Sequence, residues 1–367
     1  MAANDGKIKE LEERIATTKY NKKTQAAIGQ YKAQIAKLKV KEESRRSVGK
    51  GGGTGTGWEV RKTGDGTIIL LGFPSAGKST LLNALTNAGS EIASYAFTTL
   101  TCIPGVMPYK HAKIQILDVP GIVKGAASGS GRGKEVLASM RSADVCLILL
   151  DATKPHEYDV IVKEIYDTNI RLNQRKPDVK IVRTGIDGLR IGSTIRLTHL
   201  NEASIKAILK EFKINNADVV IRENINDDQL IDCIEANKKY MPALTVINKV
   251  DLVSKTELKR IMKKYDADLA ISAEKKEGID DLKEILFQKL DLIRIFLKEP
   301  MQAADMKIPL IVFRNFTIRD VCKKLHRDFV DKFKFARVWG KSAKFDGQKV
   351  MMKHHLKDQD VLELHLR

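Results

Sequence analysis

The sequence predicts an α/β chain: a doubly wound parallel sheet carrying an α+β insert, preceded by a helical N-terminal region and followed by a small β-grasp module. Three observations carry that expectation. Short apolar runs of the buried parallel-strand kind, at residues 68–71, 114–117, 145–150 and 244–247, alternate with helical stretches. A loop of small residues, Gly72-Phe73-Pro74-Ser75-Ala76-Gly77-Lys78-Ser79, stands between the first run and a helix. The net charge of +18 is concentrated at the ends. Residues 1–62 hold 15 Lys/Arg against 7 Asp/Glu, residues 303–367 hold 15 against 8, and the long centre is left with 34 against 31.

In chain order, Ile8, Leu11 and Ile15 recur at helical spacing, as do Ile28, Tyr31, Ile35 and Leu38. The polar, basic stretch 17–24 between them predicts a bent pair of helices rather than one rod. Lys32, Lys37, Lys39, Lys41, Arg45 and Arg46 crowd the second helix. This basic region, residues 1–50, runs into a linker at 51–62 that opens Gly51-Gly52-Gly53-Thr54-Gly55-Thr56-Gly57. Residues 63–302 carry the strand–helix alternation, with helices expected at 79–87, 158–172 and 279–296. The rhythm breaks at about 173–237. There 180–184 and 191–197 read as strands joined by Gly185, Gly188 and Gly192, followed by a helix at 203–212 and an extended piece at 219–221, so an insert with its own α+β fold is expected. Residues 303–367 read as a strand at 307–313, a helix at 318–329 and strands at 335–339, 344–350 and 361–366, the order of a β-grasp.

Composition excludes several classes. No apolar run approaches the roughly 20 residues that span a bilayer, and residues 1–10 lack the apolar core of a secretory signal. No membrane association is expected, and the location is expected to be cytoplasmic. Cys102, Cys146, Cys233 and Cys322 have no paired spacing, which points to reduced thiols rather than zinc or disulfides. Adjacent His354 and His355 have no companion ligand at metal spacing and read as a solvated turn. Basic ends suit a polyanionic partner, nucleic acid first, the alternative being charge that only keeps the protein in solution. Phe335, Trp339 and Phe345 are read as packing of a small β core in preference to base stacking.

The chemistry lies in the centre. In the Gly72–Ser79 loop, backbone N–H groups and the positive helix end surround phosphates, and Gly72 and Gly77 allow the close approach. Lys78 supplies a cation to the β- and γ-phosphates, and the Ser79 hydroxyl reaches Mg²⁺, with Thr80 continuing the first helical turn. Asp118-Val119-Pro120-Gly121 ends a strand with a carboxylate placed to hold Mg²⁺ directly or through water, while the Gly121 N–H meets the γ-phosphate. Between these motifs Phe97-Thr98-Thr99-Leu100-Thr101 reads as a switch loop whose threonine completes the Mg²⁺ shell, Thr99 by preference and Thr98 as the alternative. Lys78, Thr99 and Gly121 are thus the residues expected to act on the transferring phosphate.

Base selection follows at Asn248-Lys249-Val250-Asp251. Asp251 accepts two hydrogen bonds from the guanine N1–H and exocyclic amine, which adenine does not offer. Lys249 lies along the base plane, and Asn248 ties this loop to the phosphate loop. The backbone of Ser272-Ala273-Glu274 is expected at the guanine carbonyl. The position after Gly121, where Ras-type proteins hold a water-orienting glutamine, is Ile122, which predicts slow intrinsic hydrolysis. Residues 125–133 form a small-residue loop fit to change order with the γ-phosphate, and its Arg132 is read as a solvated arginine in preference to an internal arginine finger.

These motifs, with the glycine-rich stretch after Ile122, resemble the Obg-related GTPases. Together with the basic helical N-terminus, the insert before Asn248 and the C-terminal β-grasp, they are similar to the developmentally regulated GTP-binding protein (DRG) family within that group. The resemblance covers essentially the whole chain. It implies a P-loop GTPase domain, an insert like a ribosomal-protein α+β fold and a C-terminal TGS domain. It also implies association with the ribosome and rRNA or other RNA in translation, a DRG-family regulatory protein as partner in a eukaryote, and stimulation by K⁺. Several potassium-activated relatives hold the cation with a phosphate-loop asparagine where this sequence has Ser75, whose hydroxyl can also coordinate K⁺. The expectation is therefore a Mg²⁺-dependent GTPase converting GTP to GDP and phosphate as a switch. The alternative is an RNA- or ribosome-binding protein in which the guanine nucleotide is a slowly exchanging structural ligand.

Overall fold

A computed structural model describes residues 2–19, 21, 24–48, 64–86, 103–118 and 140–367. They form two compact units, residues 1–56 with 169–240 and residues 57–168 with 241–367, each described by itself.

The larger unit is built on a six-stranded sheet in the order Leu269–Ala270, Ala243–Asn248, Val145–Asp151, Gly66–Leu71, Ala112–Asp118, Ile103–Tyr109. The first five are parallel and the last is antiparallel. Gly66–Leu71, Val145–Asp151 and Ala243–Asn248 are buried at every position, so they read in sequence as unbroken apolar runs rather than alternating ones. Ile103–Tyr109 was not among the expected strands. It carries Pro104 and Pro108, which only an edge strand tolerates, and it lies at the edge. The register aligns the C-terminal ends of the central strands, with Leu70 opposite Asp118 and Asn248 opposite Asp151. In open α/β sheets ligands gather outside that end.

Two expected helices are shorter than the sequence suggested. The helix expected at 158–172 spans Glu157–Asp167, and Ile170–Leu172 is a strand. The helix expected at 279–296 stops at Lys289, Asp291 turns the backbone with φ 52°, and Leu292–Lys298 is a strand. That strand belongs to a five-stranded sheet ordered Leu310–Phe313, Leu292–Lys298, Val361–Leu366, Phe333–Trp339, Gln348–Val350. Helix Ile318–Leu325 covers one face, burying Ile318, Val321 and Cys322 against Ile293, Ile295, Val338 and Leu362. The β-grasp sheet thus takes in residues before 303. Its first two strands serve two cores, because Leu292 and Ile311 are buried in the core of the six-stranded domain, with Phe313 against it.

In the smaller unit, helices Ala2–Thr17 and Gln25–Val48 are separated by the polar break the spacing predicts. A three-stranded sheet, Val179–Arg183, Ala217–Ile221, Leu189–Ser193, has Ala217–Ile221 in the middle. Helices Glu202–Glu211 and Asp227–Glu235 complete a core with Ala33 of the second N-terminal helix. Gly29 allows that helix to approach closely: a Cβ there would stand 3.0 Å from Ile208 Cδ1. Lys37 Nζ seals the contact, donating to the Glu211 carbonyl at 2.6 Å and its Oε1 at 2.9 Å. Beneath, Arg171 donates from Nε and Nη2 to both oxygens of Asp232, at 2.6 and 2.8 Å, with both side chains buried.

Among the described residues no helix is long and apolar enough to cross a membrane. Nor do any three or more of their His, Cys, Asp and Glu side chains gather as a metal would require. Of the two adjacent histidines, His354 sits with Nε2 3.0 Å from Ser342 Oγ.

Candidate nucleotide-binding site

The phosphate loop leaves strand Gly66–Leu71 and enters helix Lys78–Leu85 through Gly77, whose φ of 91° is left-handed. Two glycines are required by contact. A Cβ on Gly72 would lie 2.6 Å from the Leu149 carbonyl oxygen, and one on Gly77 would lie 2.3 Å from Asn248 Nδ2. Ser75 also has positive φ, at 68°, and Ala76 N–H donates to Phe73 O at 3.2 Å. Pro74 and Ser75 are exposed at the tip, and Ser75 donates to the Pro74 carbonyl. Lys78 curls back over the loop, its Nζ donating to Gly72 O at 3.0 Å and Phe73 O at 3.1 Å. Burial depresses its pKa, while the charge of Asp118 works the other way. A half-desolvated ammonium resting on backbone carbonyls interacts more strongly with an anion than a solvated one does.

Asp118 ends strand Ala112–Asp118 and is buried. Burial raises its carboxyl above the usual range, with Lys78 opposing. Its Oδ1 has no hydrogen-bond partner among the described residues. A buried carboxylate oxygen left without a donor is costly unless a cation serves it. Ser79 and Thr80 are exposed in the first helical turn, which leaves the Ser79 hydroxyl able to share such a cation. An oxygen-only donor set of this kind fits Mg²⁺.

The base side is organised by Asn248. Its Nδ2 donates to Ala76 O at 2.9 Å and its Oδ1 accepts from Ala273 N–H at 3.0 Å, so one amide joins the phosphate loop to the Ser272-Ala273-Glu274 turn. That turn closes through reciprocal backbone hydrogen bonds between Ser272 and Glu277, at 3.2 and 3.0 Å. Asp251 is exposed, and a hydrogen bond from the Ser272 side chain holds its carboxyl below the ordinary range. Lys249, at φ 62°, places Nζ 2.7 Å from Asp151 Oδ2.

Asp151 escaped the reading of the sequence. It is buried at the end of strand Val145–Asp151, and its Oδ1 accepts from Thr153 N–H at 2.8 Å and Thr153 Oγ1 at 2.7 Å. Burial resists its ionisation, but the hydrogen bonds from Lys249 and Thr153 prevail and hold its pKa below the usual carboxylate range. The signal available in sequence was an aspartate closing an apolar run and followed two residues on by threonine.

The structure therefore brings Gly72–Thr80, Asp118, Asn248, Lys249, Asp251 and Ser272–Glu274 to the C-terminal end of one sheet. Phe97, Thr98, Thr99, Val119, Pro120, Gly121, Ile122 and Arg132 lie outside the described residues.

Comparison with known proteins agrees in kind along the chain. Residues 67–184 match a family model described as a 50S ribosome-binding GTPase, residues 186–292 the C-terminal region of that domain, and residues 293–366 the TGS domain. An uncharacterized GTP-binding protein of Methanocaldococcus jannaschii is 48% identical over 361 residues, covering 97% of this chain and 91% of that protein. Developmentally-regulated GTP-binding protein 2 of Homo sapiens is 42% identical over 361 residues, 98% of each chain. Ribosome-interacting GTPase 1 of Saccharomyces cerevisiae is 41% identical over 367 residues, 99% of each.

Proposed function

The chain belongs to the family of developmentally regulated GTP-binding proteins, GTPases with a TGS domain, and from that premise we propose that it works as a Mg²⁺-dependent switch contacting the ribosome or its RNA. The observation that carries the guanine-site reading is the Asn248 amide, which joins the phosphate loop to the Ser272–Glu274 turn beside the Asp251 carboxylate. One residue thereby couples the ends of the site that read triphosphate and base.

In this reading Gly72 to Gly77 present backbone N–H groups to the phosphates, and Lys78 leaves its own loop carbonyls for the β- and γ-phosphates. Ser79 and Asp118 hold Mg²⁺, with Thr99, or Thr98 in its place, as the further ligand. Held there, Mg²⁺ would supply positive charge to the phosphate oxygens. The Gly121 N–H orients the γ-phosphate. Asp251 selects guanine through its N1–H and amine, Lys249 lies along the base, and the backbone of the Ser272-Ala273-Glu274 turn meets the guanine carbonyl. K⁺ stimulates turnover, with the Ser75 hydroxyl among its ligands. The basic region 1–50 and the β-grasp module supply contacts to RNA, a DRG-family regulatory protein joins in a eukaryote, and the site of action is the cytoplasm. The name of the yeast relative and the matched ribosome-binding GTPase model support the ribosomal assignment.

The test compares ribosome and RNA capture by the purified chain loaded with GDP or with a non-hydrolysable GTP analogue. Nucleotide-dependent capture is expected, and equal capture in both states refutes the switch. Lys78→Ala and Ser79→Ala are expected to abolish hydrolysis, and normal turnover in either refutes the site.

A further inference from the structure

The outer face of the β-grasp sheet departs from the packing role expected for its aromatics. Ile293, Ile295, Ala336, Val338 and Leu362 point to the helix side. The alternate positions therefore face the other way, and register sets them in rows across the strands. Phe296, Val361 and Trp339 are aligned in one row. Lys298, Glu363, Arg337 and Lys349 form the next. His365 and Phe335 stand opposite each other beyond it, their rings stacked at 4.2 Å with planes 16° apart.

Cations cover these rings. Lys298 Nζ is 4.3 Å from the Trp339 ring centre, and Lys349 Nζ is 4.5 Å from that of Phe335. Arg337 and Lys349 are exposed. The only carboxylate in the rows, Glu363, is buried and already held by Lys298 at 3.3 Å and by His365. Phe345, in the connection between the Trp339 and Gln348 strands, is 66% exposed. The face thus alternates flat rings with cations on flexible stems, and its one acid is neutralised internally.

We propose that this sheet face binds single-stranded RNA, bases stacking on Trp339 and Phe335 while Arg337 and Lys349 contact the phosphates. Phe335 and Trp339 lie four residues apart on one strand, about 13 Å, with Arg337 between them, which is roughly two base steps of an extended single strand at near 7 Å each. Duplex RNA keeps its bases stacked inside and cannot use the rings. Lys349 can swing on its stem to a phosphate as a base takes its place over Phe335, exchanging an exposed cation–π contact for a stack and a charge pair, while Lys298 stays paired with Glu363 beside Trp339. The proposal rests on RNA being the polyanionic partner and names the surface and the form of RNA it reads.

The experiment uses the full chain with Trp58→Phe, which leaves Trp339 as its only tryptophan. The probes are a fluorescent single-stranded oligouridylate, a duplex RNA of equal length and a polyglutamate peptide. Single-stranded RNA is expected to quench Trp339 fluorescence and to bind at least tenfold tighter than duplex or polyglutamate. Arg337→Ala and Lys349→Ala should each weaken it about fivefold and flatten its salt dependence, and Phe335→Leu should weaken it about tenfold with little effect on melting temperature. Unchanged affinity in all three variants, with binding lost only when the exposed Lys7 and Lys9 are replaced by alanine, overturns the surface and leaves RNA as partner. Duplex or polyglutamate binding as tight as single strands, with Trp339 unquenched, overturns stacking. A chain that binds no RNA overturns both this surface and the RNA reading beneath it, while leaving the GTPase site untouched.

Discussion

Replacing Asp151 by asparagine tests how the base pocket is prepared. The parent carboxylate divides its oxygens, Oδ1 taking two hydrogen bonds from Thr153 and Oδ2 holding the Lys249 ammonium at 2.7 Å. In Asp151→Asn the oxygen stays with Thr153 and the NH₂ group turns toward Lys249, donor against donor, so the lysine is released. Fixing a free lysine side chain costs up to about 2 kcal/mol. A nucleotide binding the variant must supply that ordering, and at 1.4 kcal/mol per decade the dissociation constant rises roughly 5- to 30-fold. Titration with fluorescent GDP and with its inosine counterpart measures it. Both should weaken alike, since Lys249 meets the base plane and not the 2-amino group, whereas Asp251→Ala should erode the preference for GDP over IDP. Because the Asp151 pKa is depressed, its contribution is present above the ordinary carboxylate range and lost only as pH falls through the lower folded value. The defect should therefore be constant across neutral pH. GDP affinity within twofold of the parent, in a variant with normal circular dichroism, refutes the positioning role.

Three further outcomes follow from the described contacts. Gly77→Ala should weaken GDP binding roughly 100-fold by calorimetry, because a left-handed backbone costs about 1–2 kcal/mol with a side chain and the new Cβ expels the Asn248 amide from a hydrogen bond worth about 1 kcal/mol; a loss under fivefold contradicts this. Asp118→Asn should raise the melting temperature of the nucleotide-free protein at neutral pH while removing Mg²⁺-dependent turnover. The raised carboxyl contributes stability below its ordinary range and loses it as pH rises through the folded value, so the variant's gain should fade on acidification; a lower neutral melting temperature argues against the orphaned oxygen. Asp232→Asn should cost about 3–5 kcal/mol in denaturant unfolding of the smaller unit, by removing the carboxylate charge that both Nε and Nη2 of the buried Arg171 meet; a cost under about 1 kcal/mol would show the pair to be dispensable.

What could be read from sequence was what is contiguous. The phosphate loop, the Asp118 strand end and the Asn248–Asp251 tetrad each announce themselves within a few residues. Asp151 did not, because its partner Lys249 is distant in sequence and meets it only through the pairing of Asp151 with Asn248. Helix Asp227–Glu235 was missed although Asn226 and Gln229 form a capping box visible in sequence. The overlong helix at 279–296 had a different cause. Leu290, Leu292, Ile293, Ile295 and Phe296 form a dense apolar run that fits either helix or strand, and the stop is made by Asp291 at positive φ where glycine would have signalled it. The outer sheet face was misread because alternation in a short strand does not say which side is covered.

The double duty of strands Leu292–Lys298 and Leu310–Phe313 has a practical and an evolutionary side. A C-terminal deletion starting at residue 303 would not trim an appendage; it would pull Ile311 and Phe313 out of the catalytic domain's interior and leave Leu292–Lys298 with neither neighbour. Loss of RNA capture by such a fragment would report a damaged enzyme as readily as a missing contact, so charge replacements on the intact chain are the sound comparison. By the same token this module is grafted rather than tethered: exchanging it between proteins requires a matching half of the host's interior to travel with it.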